Sequence, residues 1–92
     1  MYRIIDDRGA GKTGRLMLLA KEMGAKLVCS NPPAMRSKAY AYGITGLDFV
    51  SYEDFICGFV GPEDKVLIDE IETFANYFTG GKLIGYTLTN ED

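Results

Sequence analysis

The sequence predicts one α/β domain over residues 1–92, a three-layer sandwich on a mostly parallel sheet of four to five strands. Three observations lead there. Short apolar runs alternate with stretches in which apolar residues recur every three or four positions, the pattern of strands joined by crossover helices. Most of the eleven glycines fall at the joints between these runs. Ninety-two residues, 47% of them hydrophobic and 25% charged, can bury one small core and leave no room for a second domain.

The elements follow in order. Tyr2-Arg-Ile-Ile-Asp6 is short and β-branched and runs into a glycine-broken turn, so it reads as the first strand. Leu16, Leu19, Ala20 and Met23 form an i, i+3, i+4, i+7 stripe, which predicts a helix over 12–23 stopped by Gly24. Residues 26–30 read as a second, buried strand. Asn31-Pro-Pro cannot continue a ladder and opens a helix instead, with Ser30 or Asn31 as its cap. Met35, Ala39 and Tyr42 space that helix, and Gly43 ends it.

Leu47–Ser51 is a third, shorter strand, and Ser51 caps a brief helix through Cys57, with Asp54 at the third position. Gly58, Gly61 and Pro62 turn the chain. Lys65–Asp69 is a fourth strand, Ile71, Phe74, Ala75 and Phe78 stripe a helix, and Gly80-Gly81 closes it. Lys82–Thr89 reads as a final strand weakened by Gly85. Four main strands in the order first, fourth, third, second leave the first strand at an edge. An exposed apolar edge invites pairing with another chain, so a homo-oligomer or a protein partner is expected there.

Composition removes several chemistries. The chain has no histidine, which excludes His-based triads and His-ligated zinc sites. Cys29 and Cys57 sit in apolar surroundings without CxxC spacing and read as buried, reduced thiols of a cytoplasmic protein. No apolar run approaches the roughly 20 residues of a membrane span. Met17, Met23 and Met35 read as core filler. Tyr40, Tyr42, Tyr52, Tyr77 and Tyr86 suit core or helix-flank positions better than base-stacking ones. The net charge of −3 divides into +5 over residues 1–40 and −8 over 41–92. A basic half can face phosphate and an acidic half can hold a divalent cation, although solvated faces that neutralise each other have the same signature.

One segment carries chemistry. Asp6-Asp-Arg-Gly-Ala-Gly-Lys-Thr13 joins the first strand to the first helix and ends in Gly11-Lys12-Thr13, as phosphate-binding loops do. Backbone N–H groups of Gly9, Ala10, Gly11 and Gly14 can curl around phosphate oxygens at the positive end of the helix. Lys12 can reach the β- and γ-phosphates, and Thr13 can ligate Mg²⁺. Val66-Leu-Ile-Asp69-Glu70 is an apolar strand ending in two carboxylates, 57 residues after Lys12. Asp69 there can hold Mg²⁺, and Glu70 can orient and deprotonate a water; an acidic helix start would look the same. Thr87, Thr89 and Asn90 end the last strand as sensor-like polar groups or as an ordinary strand end.

Together these segments resemble a minimal member of the P-loop NTPase superfamily, in the branch with a Glu after the strand Asp: AAA-type, recombinase and helicase ATPases. The likeness covers motif A at 6–13, motif B at 66–70 and the polar tip at 87–90. It implies Mg²⁺-dependent binding of ATP or another nucleoside triphosphate, with hydrolysis as a further capacity. Residues 28–35 and 49–55 are similar to segments that helicases place against single-stranded nucleic acid, which makes that a candidate partner. The general pattern also resembles small bacteriophage proteins, whose compartment would be the host cytoplasm.

The chain departs from the family where motif A begins, with Asp6 in place of glycine. Asp6 and Asp7 bring negative charge towards a polyphosphate unless they point away or pair with Arg8 or Arg15. No segment is recognisable as a lid or an arginine finger, and Arg3, Arg8, Arg15 and Arg36 are equally eligible to act from a neighbouring subunit. The competing expectation is a degenerate, non-hydrolysing P-loop domain serving as a scaffold. A nucleic-acid-processing accessory protein is the third.

Overall fold

The computed structural model describes residues 2–5 and 11–89. Four helices and three strands alternate along them: α1 (Lys12–Met23), β1 (Lys26–Cys29), α2 (Pro32–Ala41), β2 (Phe49–Ser51), α3 (Tyr52–Ile56), β3 (Val66–Ile68) and α4 (Ile71–Phe78). Local chemistry sets most boundaries. Gly24 takes the left-handed conformation at φ 66° and returns its N–H to the Ala20 carbonyl, ending α1. The Asn31 side chain accepts from the Ala34 N–H at 3.2 Å and so caps α2, with proline in the first turn. Ser51 Oγ accepts from the Asp54 N–H at 3.0 Å and starts α3.

The sheet is entirely parallel, in the order β2-β1-β3. Its centre is β1, where Leu27, Val28 and Cys29 are each at most 1% exposed. Alternation sends Leu27 and Cys29 to one face, against Met17 and Ala20 of α1 and Met35 and Ala39 of α2. Val28 points to the other face, with Val50, Tyr52 of α3 and Phe74 of α4. Helices therefore cover both faces, the arrangement that suits an all-parallel sheet. Burial also pushes the Cys29 thiol up to about 11, with the Asp69 charge acting in the same direction.

Several expectations are corrected. Residues 2–5 and 82–89 adopt no regular secondary structure, so the described sheet has three strands. Neither segment buries an alternating face: Ile5, Ile84, Tyr86 and Leu88 are all exposed. They meet through side chains instead of a ladder, with the Arg3 guanidinium donating to the Thr89 carbonyl at 2.7 Å. Glu72 of α4 lies near enough to the Tyr86 hydroxyl to raise its pKa. The edges are consequently β2 and β3, and the strand at 26–29 lies between them because it alone is sealed on both faces. Cys57 is exposed at the end of the short α3. Met23 is half-buried, whereas Met17 and Met35 are core. Among the tyrosines only Tyr52 is core; Tyr40, Tyr42, Tyr77 and Tyr86 are exposed. Among the described residues no helix is long and apolar enough to cross a membrane.

Candidate functional site

The carboxyl end of β3 and the start of α1 lie side by side. Gly11, at φ 79°, turns the chain into α1, a conformation that side-chain-bearing residues rarely adopt. Lys12 and Thr13 are then the first two residues of the helix. On the other side, the Asp69 N–H donates to the Val28 carbonyl at 2.9 Å, which carries the ladder one residue past β3. Glu70 follows at φ 60° and ψ 72°, the one non-glycine residue with positive φ among those described. Such a backbone costs about 1–2 kcal/mol in an L-residue and persists only where its surroundings hold it.

Tyr52 does the holding. Its buried hydroxyl donates to the Asp69 carbonyl at 2.7 Å and reaches the Glu70 carbonyl at 3.3 Å. Its ring stands nearly perpendicular to Phe74, with centroids 5.1 Å apart, and leans on Tyr77. The turn that presents both carboxylates is therefore pinned to α3 and α4. Burial pushes the Tyr52 phenol up to about 12, and the neighbouring Asp69 charge adds to the effect.

The turn aims Glu70 at the first residue of α1, with Lys12 Nζ 3.7 Å from Glu70 Oε1. Asp69 is half-buried, and that burial, reinforced by the Glu70 carboxylate, raises its pKa; Lys38, Lys12 and a hydrogen bond with the Thr13 side chain pull the other way. A cleft of about 490 Å³ opens beside these groups. Its walls are Gly11, Lys12 and Thr13 of the α1 start, Glu70 and Thr73 at the α4 start, Lys38 of α2 and Tyr42 at the C-cap of that helix. That volume lies in the range of small-molecule sites. A second cleft of about 370 Å³ shares Lys12 and Glu70 with the first and is more apolar, with Ile4, Leu16, Ile71, Leu88 and Asp69 also in its walls.

Of the residues expected at the site, Gly11, Lys12, Thr13, Asp69 and Glu70 come together. Gly14 lies in the first turn of α1 beneath the Tyr42 ring, where an added Cβ would stand 3.6 Å from that ring. Thr87 and Thr89 are exposed and line neither cleft. Gly9, Ala10 and Asn90, together with Asp6, Asp7 and Arg8, lie outside the described residues. Arg36 sits over the Phe49 ring, 5.9 Å from its centroid, and faces β2 instead of the cleft.

Sequence reasoning missed Lys38, Tyr42, Thr73 and Tyr52. Lys38 and Tyr42 did carry a signal, because i, i+4 residues share one face of a helix. The available metal donors are hard oxygens: the Thr13 hydroxyl and the Asp69 and Glu70 carboxylates. No group of three or more His, Cys, Asp or Glu gathers among the described residues, so a divalent cation would complete its shell with water or ligand oxygens, as Mg²⁺ commonly does.

No protein family, curated protein or solved structure matches this chain.

Proposed function

We propose that the cleft binds a nucleoside triphosphate, ATP as the first candidate, with Mg²⁺, and that the chain is a minimal P-loop ATPase-like domain. One observation carries the reading: Lys12 and Thr13 at a helix start meet Asp69 and Glu70 from a strand end 57 residues away. Helix N-termini favour anions, and lysine is a common phosphate-binding point charge. Lys12 would neutralise β/γ-phosphate oxygens, while the N–H groups at Gly11, Lys12 and Thr13 receive the chain of phosphates. Thr13 and Asp69 would hold Mg²⁺, which when bound supplies positive charge against the transferring phosphoryl group. Glu70 would leave Lys12 once phosphate arrives and accept a proton from a water. Tyr52 would keep that carboxylate in place.

Nucleotide titration of the parent and of Lys12→Ala, with and without Mg²⁺, tests this. The parent should bind at millimolar affinity or better, and the variant should lose about tenfold or more, the worth of one charge-assisted contact. A parent that binds no nucleotide at millimolar concentration removes the reading.

A second reading is a non-hydrolysing P-loop-like module that binds a protein partner or a second copy of itself. Uncovered apolar side chains favour it: Ile71 and Phe78 of α4, and Ile84 further along the chain, are exposed. Nucleotide binding without turnover, together with association in sedimentation at micromolar concentration, would select this second reading. Salt-dependent capture of single-stranded DNA would instead select a nucleic-acid accessory role.

A further inference from the structure

We propose that Lys38 is a second phosphate-contacting cation of the cleft, supplied by α2 and not by the loop that precedes α1. This rests on the nucleotide reading and assigns one more side chain to it. Lys38 lines the same cleft as Lys12, Thr13 and Glu70. Its placement is fixed from three sides. Asn31 caps the start of α2, and Met35 and Ala39 are buried against β1 and α1, which sets the rotation of the helix. Tyr42, one turn beyond Lys38 on the same face, lies against Gly14 in the first turn of α1.

The walls of the cleft carry more positive than negative charge. Lys12 faces Glu70 at 3.7 Å, and Lys38 lines the same cleft as that pair. Two ammonium groups thus share the cleft with one carboxylate. A polyphosphate that arrives with its own divalent cation offers phosphate oxygens to both lysines and the cation to the Glu70 carboxylate. Lys38 then does from within the same chain what an arginine of a neighbouring subunit would otherwise have to do.

The test is equilibrium titration with ATP and with inorganic tripolyphosphate, each with Mg²⁺ at one ionic strength. The proteins are the parent, Lys12→Ala, Lys38→Met, Lys38→Arg and the control Lys21→Met. Lys21 lies in the last turn of α1, about 13 Å along the axis from Lys12. Lys38→Met should weaken both probes about tenfold, Lys38→Arg should recover most of the loss, and Lys21→Met should change neither. Lys38 is exposed, so an unchanged thermal melt separates lost contact from lost fold. Lys38→Met binding within about twofold of the parent, while Lys12→Ala fails, overturns the assignment and leaves the nucleotide reading standing. Weakening of ATP alone also overturns it, because the contact would then be to the nucleoside. A parent that binds neither probe overturns the nucleotide reading and Lys38 with it.

Discussion

Replacing Tyr52 by phenylalanine removes one oxygen and leaves the ring packed edge-on against Phe74 and tilted against Tyr77. The lost hydroxyl bridges the Asp69 and Glu70 carbonyls at 2.7 and 3.3 Å. The Glu70 carbonyl keeps a donor in the Phe74 N–H at 3.0 Å, so the loss falls mainly on Asp69. One net hydrogen bond with part of the desolvation cost of a stranded acceptor comes to about 1–2 kcal/mol. A domain of this size has roughly 5–14 kcal/mol in all, and each kcal/mol moves Tm by about 4–8 °C. Tyr52→Phe should therefore melt roughly 5–15 °C below the parent.

Alkaline pH supplies the sharper test. The folded phenol titrates at about 12 and an unfolded tyrosine at about 10, so above pH 10 the unfolded chain releases its proton first. The Tyr52 contribution is complete below about pH 10 and is lost as pH rises through about 12. Urea melts of both proteins by far-UV circular dichroism, at neutral pH and in steps above pH 9, read the difference. The gap should be largest at neutral pH and narrow as pH climbs. Equal midpoints at neutral pH, with parallel pH profiles, would refute the reasoning.

Two further predictions concern the same turn. Glu70→Gly should raise stability by about 0.5–1 kcal/mol in denaturant melts, because glycine takes φ 60° without a Cβ penalty, while any nucleotide turnover disappears. Burial, reinforced by the Glu70 carboxylate, raises the folded pKa of Asp69 above its unfolded value, which lowers stability at pH values above both. Asp69→Asn should then be the more stable protein at pH 7, with the gap closing as pH falls through the folded pKa, and it should lose the Mg²⁺ dependence of nucleotide binding.

What the sequence displays well is whatever depends on a few consecutive residues. The Lys12–Met23 helix appears with its expected bounds because an apolar stripe and a left-handed Gly24 act within four residues of one another. The same holds for the Ser51–Asp54 cap and the Gly80-Gly81 ending, where both glycines have positive φ. Tyr2–Asp6 and Lys82–Thr89 have strand composition, but a strand needs a neighbour and a covered face, and neither is written in its own residues. The Asp69–Glu70 pairing with Lys12 and Thr13 was legible from the order of motifs. Lys38 was legible only as sharing a helix face with Tyr42; that this face turns towards Gly14 is a matter of packing between helices distant in sequence.

The position of the carboxylates at an edge has a consequence for how the molecule opens. β1 is sealed on both faces, whereas β3 is only half-buried and α4 has no fully buried residue. Resistance to local unfolding is graded accordingly, and amide exchange should be slowest along β1 and faster towards β3 and α4. The groups that would meet a ligand thus hang on the less anchored half of the domain. A ligand bridging Lys12 to Asp69 would join that half to α1, and part of its binding free energy would be spent on ordering before any appeared as affinity.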